Sequence, residues 1–137
     1  MRTTLDLVDI LWQFLASSDL KDQLSGGIYK YVRPVNSAVE DVVISSLPIV
    51  NLDLQQAVCN VNVFVPNKTQ LLNGVQDISQ PDSARLKMLT DMAVGILSEH
   101  YGDDYSFEVQ QQVTLPDEVS GGWFSNIRIN FFSINTN

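Results

Sequence analysis

The amino-acid sequence predicts an α+β fold: a mainly antiparallel β-sheet of about five strands with two principal helices packed on one face, in the order α-β-β-β-α-β-β. Three observations carry this expectation. Two segments repeat apolar residues at helical spacing, Leu5, Val8, Leu11, Trp12 and Leu15 near the start and Leu86, Leu89, Ala93, Ile96 and Leu97 further on. Three others alternate with period two, the mark of a strand with one buried and one wet face. The strands also fall in blocks instead of alternating one by one with helices, which favours antiparallel pairing. With 137 residues, 45% of them hydrophobic, the chain fits a single domain, 1–137, around one core.

The first helix has Thr4 as its expected N-cap, with Asp6 and Asp9 suiting the positive end of the helix dipole. A further turn, SDLKDQL, stops at Gly26–Gly27. IYKYV, from Ile28 to Val32, reads as a strand ended by Arg33–Pro34. Ser37 to Glu40 has capping-box spacing, yet DVVISSLPIV reads better as a strand than a helix. Val42, Val43 and Ile44 are β-branched, and Pro48 forbids helix continuation. In the next strand Ala57, Cys59, Val61, Val63 and Val65 share one parity, with Asn60 and Asn62 on the other.

Residues 67 to 80 form a polar connection holding Gly74, long enough to be expected mobile. Pro81-Asp82-Ser83 opens the second helix, which is expected to run to Tyr101 with Gly102 just past its end. Two strands then close the chain as a hairpin around PDEVSGG. In SFEVQQQVTL, from Ser106 to Leu115, Phe107, Val109, Val113 and Leu115 share one parity, broken by Gln111. Glu108, Gln110, Gln112 and Thr114 hold the other. In the last strand Ile127, Ile129 and Phe131 alternate with Asn126, Arg128 and Asn130. One sheet face is therefore expected to carry Asn60, Asn62, Glu108, Gln110, Gln112, Asn126, Arg128 and Asn130. Such an amide-rich face can simply meet water, line a ligand site, or meet another protein.

Charge bounds the partners. Eight basic residues against sixteen acidic ones give a net charge of −8. Phosphate neutralisation needs a basic stripe, and Arg33, Lys68, Arg85, Lys87 and Arg128 are scattered, so tight nucleic-acid binding is not expected. No apolar run approaches the ~18 residues of a membrane span. The N-terminus imitates a signal peptide, but Asp6 and Asp9 interrupt its apolar centre and suit an amphipathic helix. The expected setting is inside a cell, which leaves the sequon Asn67-Lys68-Thr69 without a use.

Catalytic signatures are sparse. The sequence contains no phosphate-binding GxxxxGK loop, no GxGxxG, no HExxH, no EF-hand loop and no GxSxG. Cys59, the single cysteine, lies in a strand-like run and reads as a small buried hydrophobe sooner than a nucleophile. His100, the single histidine, is expected near a helix end, where it can cap carbonyls. Asp103–Asp104 and Asp117–Glu118 read as solvated loop charges. The expectation is a protein that is not an enzyme and holds no cofactor or metal.

The layout also resembles a family. A helix, a turn ending in Gly-Gly and an immediate Ile-Tyr strand, LSGGIYKYVRP, are followed by DVVIS, the strand VNVFV, the helix ARLKMLTDMAVGILSEHY and two closing strands. This order is similar to that of the small tail-completion, or head–tail joining, proteins of long-tailed bacteriophages and prophages. The resemblance covers nearly the whole chain but rests on layout and short fragments. It departs from the family in its reduced Pro-containing turn at Arg33–Pro34 and its long 67–80 connection. It implies a structural part of the virion, assembled in the bacterial cytoplasm, that forms rings between head connector and tail tube while DNA passes through the lumen. The amide face would then be an interface, since amides make directional bonds without burying unpaired charge.

A second reading, from a different class, is a small-molecule-binding or enzymatic domain with a pocket near the C-terminal hairpin, built from Trp123, Tyr105, His100 and Glu108. The two readings separate on whether those four side chains converge on an enclosed cavity.

Overall fold

The computed structural model describes residues 1–135. Helix α1 (Thr4–Ala16) is capped one residue earlier than expected. Thr3 precedes it, and the Asp6 carboxylate accepts the Thr3 backbone N–H at 2.7 Å. Its buried stripe is Leu7, Val8, Leu11 and Leu15. Leu5, expected in the core, is 59% exposed, because it lies about 200° around the helix from Leu7 at 3.6 residues per turn. After the single turn α2 (Leu20–Gln23), Gly26 passes so close to the next segment that a Cβ would collide with the Asp41 carboxylate and the Glu40 carbonyl. That contact is what the Gly-Gly turn provides.

Strand β1 (Ile28–Lys30) is shorter than the expected 28–32, because Tyr31 turns the chain with a left-handed φ of 73°. It pairs in parallel with β2 (Asp41–Ser46). The capping-box spacing at 37–40 caps no helix. Ser37 instead bonds the Asp41 carboxylate, and Glu40 reaches Arg85. Strand β3 (Leu54–Val65) follows antiparallel to β2. The long connection is not structureless: β4 (Gln70–Leu72) and β5 (Val75–Asp77) form a separate two-stranded ribbon turning at Asn73–Gly74. Helix α3 (Ser83–Leu97) starts where Asp82 accepts the Arg85 N–H at 3.2 Å.

Helix α3 stops four residues before the expected Tyr101. Glu99, His100 and Tyr101 form β6 (Glu99–Tyr101), which pairs with the start of β7 (Tyr105–Pro116). Strand β8 (Trp123–Ile134) completes the sheet. The strand order is β1-β2-β3-β8-β7-β6, six strands instead of about five, antiparallel except for β1–β2. The α+β class and the mainly antiparallel sheet stand as expected, with a third, one-turn helix added.

Helices α1 and α3 cover one sheet face. Leu7, Leu11 and Leu15 from α1 and Leu86, Leu89, Ala93 and Leu97 from α3 join Val42, Ile44, Val61, Val63, Ile127, Ile129 and Phe131 in one cluster. Burying each of these Val, Leu, Ile and Phe side chains contributes about 1.5–3 kcal/mol. No helix of the described residues is long and apolar enough to cross a membrane.

Candidate protein interface

Among the described residues no helix packs on the other face of the sheet. The register places Asn60, Asn62 and Phe64 of β3 beside Arg128, Asn126 and Phe124 of β8, all of them half-buried. Asn126 lies at the centre of a small ladder. Its side-chain NH2 donates to Asn62 Oδ1 at 2.7 Å and to Asn60 Oδ1 at 3.1 Å. Glu108 stands opposite Asn130 on the same face. Six of the eight residues expected there are thus brought together: Asn60, Asn62, Glu108, Asn126, Arg128 and Asn130.

Gln112 is not, and Gln110 has no partner in the register. A β-bulge lies between Val109 and Gln111, so Val109 pairs with Ile129 and Gln111 with Arg128, leaving Gln110 as the extra residue. The bulge reverses the parity of everything beyond it. Gln112 now sits opposite Ile127 on the helix-covered side and donates to Ser125 Oγ at 2.8 Å and to Thr114 Oγ1 at 3.0 Å. In exchange, Gln111, Val113 and Leu115 move to the open face, where Val113 and Leu115 are 39% and 40% exposed.

Sequence reasoning also missed the aromatic end of this face. Phe64 and Phe124 stack with ring centroids 5.1 Å apart, and the Arg33 guanidinium lies 4.4 Å from the Phe64 ring centroid. Their parity with Asn62 and Asn126 was a signal available in the sequence. Arg33 also bonds the buried Asp41 carboxylate at 3.0 Å and approaches Asp117 at 3.6 Å. The second contact ties the 31–40 loop to the β7–β8 turn. Asn67 ties the same turn to the β4–β5 ribbon, donating to Gly121 O and Ile78 O, each at 2.9 Å. This end of the sheet displays Val32, Val35, Leu71, Val75, Ile78 and Val119, all exposed.

The alternative pocket residues do not converge. Trp123 and Tyr105 sit at opposite ends of the hairpin, facing Pro116 and Ser133 respectively, and Glu108 is on the open face. His100 is not at a helix end. It lies in β6, with its ring 5.1 Å from Phe14 and Tyr105 and 5.3 Å from Phe107, as part of an aromatic cluster. A shallow cleft of about 330 Å³ between α3 and β7 is lined by Trp123, Gln112 and Thr114, but by none of the other three. Burial pushes the Cys59 thiol up to about 11, partly offset by a hydrogen bond with Ser46. Among the described residues no group of three or more His, Cys, Asp or Glu side chains is arranged to hold a metal ion.

No protein-family model matches the chain, and no curated protein matches it significantly.

Proposed function

We propose that the protein is a non-enzymatic structural component of a long-tailed bacteriophage or prophage, of the head–tail connector or tail-completion type. Its task would be to join the head connector to the tail tube during assembly in the bacterial cytoplasm. The starting point is the resemblance in layout carried by LSGGIYKYVRP, DVVIS, VNVFV and the helix after them. The observation that supports it best is the open sheet face. Asn126 already divides its two N–H groups between Asn60 and Asn62, so this part of the surface is ordered before any partner arrives. Beside it lie a stacked aromatic pair and two half-exposed aliphatic side chains. Neutral hydrogen-bonding groups next to an apolar patch, with few charges, are what the centre of an interface requires. The partners on this reading are the head connector, tail proteins and further copies in a ring, without tight nucleic-acid binding, membrane contact or a cofactor.

The test is complementation of a phage lacking this gene by Asn60→Asp with Asn62→Asp. Both carboxylates still accept from Asn126, so the fold is expected to survive, as circular dichroism and thermal melting would record. Burying the two new charges against a partner costs several kcal/mol, and infectious titre is expected to collapse. A normal titre from the folded double variant would remove this face from the joining surface.

A further inference from the structure

The two edges of the sheet are treated differently. The β1 edge is short and shielded: the Trp12 indole N–H donates to the Ile28 carbonyl at 3.0 Å, and Lys30 pairs with Asp9 at 2.7 Å. Short length, an edge lysine and an occupied carbonyl are protections against strand addition. The β7 edge is covered by β6 only as far as Glu108, with one more bond from Val109 N–H to Ser98 O at 3.1 Å. From Gln110 to Pro116 every residue is exposed.

The direction of the free backbone groups follows from alternation. Val109 N–H points outward to Ser98, and Asp117 N–H points inward to Gly122 O at 2.8 Å. Counting back from Asp117, residues 115, 113 and 111 face β8, while Gln112 and Thr114 face solvent. Pro116 has no N–H to offer. The available window therefore consists of Gln112 and Thr114, symmetric about Val113 and bounded on both sides.

We infer that this edge pairs with the same edge of a second copy, antiparallel about a two-fold axis through Val113. Gln112 of each copy would exchange two backbone hydrogen bonds with Thr114 of the other, four in all. Two features favour a second copy over an unrelated strand. The window's own symmetry makes it complementary to itself. Its charge does the same: no residue from Val109 to Pro116 is charged, in a chain of net charge −8. Copies that repel elsewhere thus meet along their neutral stretch. Val113 would face Val113 on the open side, and Gln111 would face Leu115. This pairing concerns the sheet edge and does not rest on the joining role proposed for the open face.

Cysteine cross-linking tests it. Val113 and its counterpart form a non-hydrogen-bonded antiparallel pair, with Cα atoms about 4.5 Å apart, within disulfide reach. The native Cys59 is fully buried and stays out of the reaction. At about 1 mM protein, where even a millimolar Kd populates the dimer, Val113→Cys in a glutathione buffer is expected to give a disulfide dimer. Its yield should exceed that of Gln111→Cys by about tenfold or more, through proximity. Gln111→Cys mixed with Leu115→Cys should cross-link where neither does alone. Equal yields from Val113→Cys and Gln111→Cys would overturn the pairing. So would a wild-type chain that sediments as a monomer at that concentration, or one that forms larger oligomers without Val113→Cys cross-links.

Discussion

Gln112 donates a 2.8 Å hydrogen bond to the Ser125 hydroxyl from the helix-covered side of the sheet, the side away from Glu108. Ser125 is fully buried and Gln112 closes over it. Gln112→Ala is therefore expected to cost about 0.5–1.5 kcal/mol in urea denaturation. Gln111→Ala, on the open face, should stay within about 0.5 kcal/mol of wild type. Equal losses at the two positions would contradict the bulged register.

The Glu40–Arg85 ion pair makes part of the stability depend on pH. The Arg85 guanidinium holds the Glu40 carboxyl below its ordinary range, helped by the Ser25 N–H and opposed by burial. A depressed folded-state value means the contribution is complete above the unfolded value and lost as pH falls through the folded one. Glu40→Gln is expected to cost about 1–3 kcal/mol at neutral pH. The gap to wild type should close below about pH 4.5. A gap that stays constant from neutral pH to pH 3 would rule this out.

Cys59 is expected to be silent towards thiol reagents in the native state. A thiol held near 11 is almost wholly protonated at pH 8, and its residue is fully buried. Labelling by Ellman's reagent should appear only with unfolding, at the rate that circular dichroism reports. Immediate labelling of the folded protein would show an open route to β3.

The β4–β5 ribbon should exchange its amides much faster than β3 or β8. It pairs three residues with three, and Leu71, Leu72 and Val75 are exposed. A two-stranded ribbon without a covered face is marginal in water. Hydrogen exchange by NMR would check this, and protection equal to that of Val61 or Ile129 would be the contrary result.

Long, strongly patterned elements were legible in the sequence. β3 alternates from Cys59 to Val63 and β8 from Asn126 to Phe131, and that suffices to put Asn60, Asn62, Asn126, Arg128 and Asn130 on one face. The stripe of α3 was equally plain. What escaped was decided by partners. Nothing within Glu99-His100-Tyr101 distinguishes a last helical turn from a three-residue strand until Ser106, Phe107 and Glu108 lie beside it. Leu5 was misplaced because a helix offers several candidate stripes, and the sheet beneath selects one. The bulge was invisible for a similar reason. Parity can be read only while apolar and polar residues alternate, and three glutamines in a row erase the phase where it changes.

That run of identical residues makes the chain tolerant of a change in length. Gln110 is the surplus residue of the bulge, and losing any one of Gln110, Gln111 and Gln112 leaves the same polypeptide. The shortened strand would pair as an uninterrupted ladder, with its valine still opposite Asn126 and its leucine still opposite Phe124. A single-codon deletion here, unlike one in β3 or β8, should yield a folded protein whose sheet has lost a local twist and little else. The glutamine run is thus a natural place for the gene to vary by one codon without shifting the frame of contacts around it.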